Sequence, residues 1–304
     1  MRLIGAEELG RRLPMVAAID ALELAFRTHD PSDTPMRSTV PTESGSMLLM
    51  PASNDAGVGV KLVTLTPDNP GRGLPFVNAA YVLFDATTQA PEAVIDGAAL
   101  TALRTAAVSG LATRYLANEG AGRLVVFGAG VQARSHLSAM AAVRPVEHVT
   151  IVSRSTARAA ALTDVARGLG MDAVVGTPDA VGTADLVCTC TTSASPLFDG
   201  GRLRPGAHVN AVGAYLPHTR ELDTETVVRA RVVVETREAA FEEAGDLLIP
   251  IGEGVIDRSH VRADLRELVT GGTVRSSPED VTVFVSVGMA FEDLTIARAS
   301  LDAA

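Results

Sequence analysis

The chain has 304 residues, 47% of them hydrophobic and 20% charged, with a formal net charge of −10. That length suits two domains or one large α/β unit with a sizeable core, and the acidic balance, with no arginine stripe, argues against a nucleic-acid partner. No run of about 18 apolar residues is present to span a membrane, and Met1-Arg2-Leu3-Ile4-Gly5-Ala6-Glu7-Glu8 acquires acids too early for a secretory signal, so a cytoplasmic location is expected.

Residues 5–29 read as a helix, with Ile19, Leu22 and Phe26 at helical spacing, ended by Asp30-Pro31-Ser32-Asp33-Thr34-Pro35. From Met36 to Asp96 the texture changes. Segments 47–50, 59–65, 77–84 and 93–95 read as strands, separated by turn formers such as Pro67-Asp68-Asn69-Pro70-Gly71. Consecutive strands with short links imply a mostly antiparallel sheet, a layer or domain of its own. Residues 98–118 then read as a helix rich in alanine, broken at Glu119-Gly120-Ala121-Gly122.

Leu124-Val125-Val126-Phe127 feeds the turn Gly128-Ala129-Gly130-Val131-Gln132-Ala133, followed by a helical run and a second apolar run, Val149-Thr150-Ile151-Val152-Ser153-Arg154. Strand, G-x-G-x-x-A turn, helix and strand in this order open a dinucleotide-binding βαβ unit. Gly128 permits the tight turn, Gly130 lets the backbone approach a pyrophosphate, and Ala133 lets the helix pack closely on its strand. The helix N-terminus offers N–H groups and partial positive charge to phosphates. Beyond Arg154 the alternation continues, with a helix over 156–168, strands at 173–175, 186–188, 208–213, 230–235 and 281–288, and a closing helix over 289–302. Near-continuous valine-rich runs suit a parallel sheet covered on both faces. The fold class is therefore α/β, a Rossmann-type doubly wound parallel sheet plus a mostly antiparallel α+β domain.

Ser153-Arg154-Ser155 stands where NAD-binding folds commonly end the second strand in an acid that binds the ribose hydroxyls. An arginine there can pair with a 2′-phosphate and stack on adenine, so NADP(H) is preferred and NAD(H) remains possible. Lys61 interrupts an apolar strand, on the face opposite Val60 and Leu62, where composition alone favours exposure. Arg104 is the only charge between Asp96 and Arg114, among Ala and Leu residues, and needs an anion, which a substrate carboxylate would supply; Arg37 carries a weaker signal. Cys188 and Cys190, at alternate positions of one strand, read as small core residues, and the six histidines form no metal-ligand pair, so no metal is expected.

Read together, Leu49-Met50-Pro51, Lys61, Asn69, Gly73-Leu74-Pro75, Leu100-Thr101-Ala102-Leu103-Arg104-Thr105-Ala106-Ala107, the glycine turn, Asn210-Ala211-Val212-Gly213, Arg220-Glu221-Leu222-Asp223 and Ser286-Val287-Gly288 with Asp293 resemble the ornithine cyclodeaminase/μ-crystallin family. The resemblance implies a substrate-binding and dimerisation domain over 1–115 with the helix 289–304, an NAD(P)-binding domain over 116–288, and a homodimer built through the antiparallel layer. It also implies that Arg37 and Arg104 hold a substrate carboxylate, that Lys61 lies beside the reacting atoms, and that Thr105 lies near the nicotinamide. The cofactor-binding set expected on these grounds is Thr105, Gly128, Ala129, Gly130, Val131, Gln132, Ala133, Ser153, Arg154, Ser155 and Thr191.

Two departures discriminate among members. Ornithine cyclodeaminases carry Glu where this chain has Leu48 and Asp where it has Tyr215. Neither replacement binds an ammonium by charge, and each lost charge-assisted hydrogen bond is worth about 1.5–3 kcal/mol. Ornithine cyclodeamination is thereby disfavoured. The expected activity is reduction of a small cyclic ketimine carboxylate, of the pyrroline- or piperideine-2-carboxylate type, to an L-amino acid. The alternatives are another amino-acid dehydrogenase or opine-type reductase, an NAD-recycling cyclodeaminase on a diamino acid, or a crystallin-like protein that binds NADPH without turnover.

Overall fold

The computed structural model describes residues 1–303. It packs as two compact units, Met1–Arg104 with Met289–Ala304, and Thr105–Gly288. The division falls inside a helix, α3 below. Among the described residues no helix is long and apolar enough to cross a membrane.

The first unit holds β1 (Arg2–Ile4), α1 (Ala6–Arg12), α2 (Met15–Thr28), β2 (Ser38–Thr42), β3 (Gly45–Asn54), β4 (Gly57–Leu65), β5 (Val77–Phe84), β6 (Pro91–Asp96), the start of α3 (Gly97–Leu116), and the C-terminal helix (Ala290–Asp302). The helix expected over 5–29 is two helices. Pro14 cannot donate a backbone hydrogen bond and keeps Leu13 out of the helical region, so α2 starts afresh behind Pro14. The sheet runs β1-β6-β5-β4-β3-β2, antiparallel throughout β2 to β6, with β1 added parallel to β6. Three residues are too few for β1 to show a period. The strand expected over 47–50 is longer, because β3 continues through Pro51 to Asn54. Its pairing with β2 ends at Leu49, so Pro51 stands where no neighbour on that side needs its missing N–H.

Register puts Leu48 opposite Val63, Met50 opposite Lys61, and Lys61 opposite Tyr81, all on one face. Ala18, Ile19, Leu22 and Phe26 of α2 are fully buried, and Phe26 meets Phe291 of the C-terminal helix edge to face at 5.1 Å. Each such side chain contributes about 1.5–3 kcal/mol of burial. Asp96 accepts from the N–H groups of Ala98 and Ala99 and starts α3.

The second unit alternates β7 (Arg123–Phe127), α4 (Val131–Val143), β8 (His148–Val152), α5 (Thr156–Gly168), β9 (Asp172–Val175), β10 (Leu186–Thr189), β11 (His208–Ala211), α6 (Thr224–Arg229), β12 (Arg231–Val234), α7 (Arg237–Glu243), α8 (Gly245–Gly252), β13 (Val261–Asp264), α9 (Leu265–Val269) and β14 (Thr282–Val285). All eight strands are parallel, in the order β13-β12-β14-β11-β10-β7-β8-β9. The four short helices α6 to α9 and strand β13 have no counterpart in the sequence reading, since elements of four to eight residues barely complete one amphipathic period. The far end of α3 is closed by arginines: Arg144 donates to the carbonyls of Asn118, Ala117 and Arg114, and Arg275 to that of Leu116. Guanidinium groups there satisfy orphan carbonyls and oppose the negative end of the helix dipole.

Candidate functional site

In the second unit, β7 has β8 and β9 on one side and β10 on the other, so the order reverses at its C-terminal end, where open α/β sheets bind ligands. A cavity of about 730 Å³ opens there, lined by Gly128, Ala129 and Gly130 after β7, Ser153, Arg154 and Ser155 after β8, and Cys190 and Thr191 after β10. Gly128 has φ of 106°, and a Cβ on it would strike the Cys190 carbonyl of the neighbouring strand. Gly130 precedes α4 with open space where a Cβ would stand, so the helix N-terminus faces the cavity without a side-chain cap. These are the features a pyrophosphate needs. The residues present therefore fit a dinucleotide.

Of the other expected cofactor residues, Ala133 is fully buried under α4, while Val131 is 68% exposed and neither it nor Gln132 lines the cavity. Thr105 is buried in α3 and is also not among the lining residues. Arg158, one turn into α5, lines the cavity as well and was not foreseen, although its spacing of four from Arg154 is a helical signal.

Buried carboxylates hold the loops after the strands of this unit, and Glu221 holds the cavity-lining Thr191. Glu221 accepts from Thr189 Oγ1 at 2.7 Å, from the N–H and hydroxyl of Thr191, and from the Gly213 N–H at 2.8 Å. Burial pushes its carboxyl up from the usual range, against the pull of these bonds. Asp246 accepts from the N–H groups of Glu221 and Leu222, and burial pushes it up to about 7. Glu235 accepts from Ser286 Oγ and from the N–H groups of Val287 and Gly288, fixing the chain after β14. Asp246 and Glu235 were missed because their partners are backbone groups far along the chain. Tyr215 is half-buried against the hydrophobic core of this unit.

In the first unit, Lys61 is 1% exposed whereas Leu62 is 36% exposed. The exposure favoured by composition is thus reversed: the strand turns its lysine inward and its leucine outward. Lys61 is the only lysine among the 304 residues, a sequence signal that singles it out without any alignment. Its Nζ donates to Asp293 Oδ1 at 2.7 Å, and Arg104 donates to Glu292 Oε2 at 2.9 Å while its Nε lies 3.2 Å from Asp293 Oδ1. The anion that Arg104 requires is therefore supplied in part from the C-terminal helix, 188 residues downstream.

Burial lowers the Lys61 ammonium to about 8, with Arg104 and Arg37 adding to the fall and Asp293 opposing it. Arg37 precedes β2, half-buried, and Leu48 lies 8% exposed on the same sheet face as Lys61. Three cations, Lys61, Arg104 and Arg37, thus stand with the carboxylates of Asp293 and Glu292. An amine titrating near 8 can give and regain a proton at ordinary pH; a guanidinium cannot.

A parallel sheet with a glycine turn and a cavity at its switch point defines the dinucleotide-binding α/β class. The chain belongs to the ornithine cyclodeaminase/mu-crystallin family, whose sequence model matches residues 2–304. It is 36% identical over 309 residues to Delta(1)-pyrroline-2-carboxylate reductase of Bacillus cereus, covering 98% of this chain and 95% of that protein. Among solved structures it resembles Thermococcus litoralis Delta(1)-pyrroline-2-carboxylate reductase in complex with NADH and L-proline, at 36% identity and TM-score 0.93, covering 99% of this chain and 96% of that one. An archaeal alanine dehydrogenase dimer with bound NAD is similar at 30% identity and TM-score 0.93, covering 99% and 94%.

Proposed function

We propose that this protein is an NAD(P)H-dependent reductase of a small cyclic ketimine carboxylate, pyrroline-2-carboxylate or its six-membered homologue, producing an L-amino acid. The observation that carries the reading is the cluster around Lys61: the sole lysine of the chain, buried, titrating near 8 and flanked by arginines. The similarity to the Bacillus cereus and Thermococcus litoralis reductases supports it.

Arg104 and Arg37 orient the substrate carboxylate by charge-assisted hydrogen bonds. Lys61 protonates the ring nitrogen, which makes the C=N carbon electrophilic. Leu48, on the sheet face of Lys61, adds no carboxylate of its own, which suits a ring bearing one carboxylate, and Tyr215 brings none where cyclodeaminases have one. When bound, the nicotinamide cofactor supplies the hydride that adds to that carbon. Gly128, Ala129, Gly130 and the first turn of α4 would hold its pyrophosphate, with Thr191 beside them. Ser153, Arg154 and Ser155 would take the adenosine ribose, and the cation in place of an acid favours NADP(H). NADH remains usable, as in the Thermococcus protein.

We further propose the two units as substrate-binding and cofactor-binding domains, and a homodimer formed through the open face of the antiparallel sheet. On that face Val40 is 45% and Leu62 36% exposed, and the alanine dehydrogenase relative is a dimer.

The deciding experiment is a panel of cyclic imines, 2-oxo acids with ammonia, and diamino acids, followed by both NAD(P)H absorbance and ammonia. The expected result is NADPH oxidation with pyrroline-2-carboxylate, reduced about 10²–10⁴-fold in Lys61→Ala. Turnover of a 2-oxo acid with ammonia would favour the alanine dehydrogenase reading, ammonia release without net redox a cyclodeaminase, and NADPH binding without turnover a non-enzymatic role.

A further inference from the structure

Among the five buried carboxylates of the described residues, Glu221 and Glu235 show one use and Asp293 another. Glu221 accepts four hydrogen bonds and Glu235 three, most of them from backbone N–H groups or hydroxyls that never titrate near neutrality. That is how a structural carboxylate is satisfied. Asp293 is different. It is fully buried, its Oδ1 is taken by Lys61 Nζ at 2.7 Å with Arg104 Nε at 3.2 Å, and its Oδ2 has no hydrogen-bond partner among the described residues. The Tyr81 hydroxyl is likewise buried and without a partner. Tyr81 stands directly opposite Lys61 in the β4–β5 register, and Gly59 leaves the room its hydroxyl fills. Asp246 also leaves one oxygen without a hydrogen bond, but its other oxygen is held by two backbone N–H groups; the bound oxygen of Asp293 lies instead on a titrating amine, which scaffolding alone does not explain.

We infer that Asp293 is a positioning residue for ketimine reduction, fixing the Lys61 amine and holding a proton on it until the ring nitrogen takes that proton. The inference rests on the reductase reading above. In the step concerned, an Nζ–H bond breaks and a bond from hydrogen to the imine nitrogen forms. Lys61 is left as the neutral amine with its electron pair, Asp293 stays a carboxylate, and solvent returns the proton after product leaves.

The groups facing Lys61 set the sign of the test. Asp293 and Glu292 come from the C-terminal helix, Arg104 from α3, Arg37 from the segment before β2, and Tyr81 from β5, while the buried face of α2 offers only Ala18, Ile19, Leu22 and Phe26. Asp293 is the group that favours the charged amine, and burial with the two arginines disfavours it. Removing the carboxylate must therefore lower the pH at which Lys61 loses its proton.

Because Lys61 is the only lysine, protein labelled with ε-¹³C lysine gives a single side-chain resonance, whose pH midpoint is read without substrate or cofactor. A wild-type midpoint near 8 is expected. In Asp293→Asn it falls by at least about one unit, and the alkaline limb of kcat/KM for ketimine reduction falls by the same amount. Asp293→Glu keeps the charge and holds the midpoint within about half a unit of wild type. Should Asp293→Asn not fold, Arg104→Met gives the sign: Oδ1 is left wholly to Lys61 and the midpoint rises.

A midpoint unmoved in Asp293→Asn, a drop in Asp293→Glu equal to that in Asp293→Asn, no rise in Arg104→Met, or a uniform loss of kcat/KM with no displaced limb would overturn the inference. The ketimine reading fails separately, if the wild type turns over no ketimine.

Discussion

Lys61 and Arg154 show how far a single side chain can be read. At Arg154 the reading is local: the strand end after a glycine turn stands where a ribose would bind, and a cation there favours a 2′-phosphate over a bare hydroxyl. Replacing it with Asp removes a charge-assisted hydrogen bond worth about 1.5–3 kcal/mol and adds repulsion. The Kd for NADPH is therefore expected to rise at least about tenfold in Arg154→Asp while NADH binding is kept or improved, measured by fluorescence titration of both cofactors. Unchanged discrimination would mean that Arg154 does not meet the 2′-phosphate. Lys61 was legible as an anomaly and not as a solution. Its partner is Asp293, 232 residues away, and no local pattern announces a pairing at that separation.

At the scale of elements, the glycine turn and the α3–α4 contact carry separable predictions. Gly128 combines a left-handed backbone with the Cys190 carbonyl where a side chain would begin. Gly128→Ala must therefore push the ends of β7 and β10 apart, with a loss of about 1–3 kcal/mol in urea unfolding and loss of dinucleotide binding. Retained stability and affinity would show that the turn has slack. His136 of α4 meets Ser109 Oγ of α3 at 3.0 Å and the Gln132 carbonyl at 2.8 Å.

Burial pushes His136 from 6.5 down to about 4, so the folded protein keeps it neutral where the unfolded chain binds a proton. Its contribution is intact above pH 6.5 and fades as pH falls towards 4. From pH 8 to pH 5 wild type should lose about 2 kcal/mol more stability than His136→Gln, from paired denaturation curves. Asp246, raised by burial, titrates with the opposite sign and cancels because both proteins contain it. Equal losses would place the His136 proton elsewhere.

For the whole molecule, the open sheet face is the testable feature. Leu62 and Val40 lie exposed on the side away from Lys61, the face through which the proposed dimer would form. Leu62→Glu is expected to yield a monomer by light scattering, where wild type gives a dimer. A monomeric wild type would remove this reading of the face.

By itself the sequence determined the α/β class, the antiparallel layer ahead of a parallel sheet, the dinucleotide turn and the absence of acids at Leu48 and Tyr215. Each of these depends on local spacing or on the identity of one residue, which the order of letters preserves. Only the tertiary structure decided that Lys61 faces inward and that Arg104 and Lys61 share the carboxylates of the C-terminal helix. It also decided that Glu221 holds the loop after β10, Asp246 the backbone at Glu221 and Leu222, and Glu235 the chain after β14. These depend on which distant segments meet when the core closes, and a buried charge finds its partner only there.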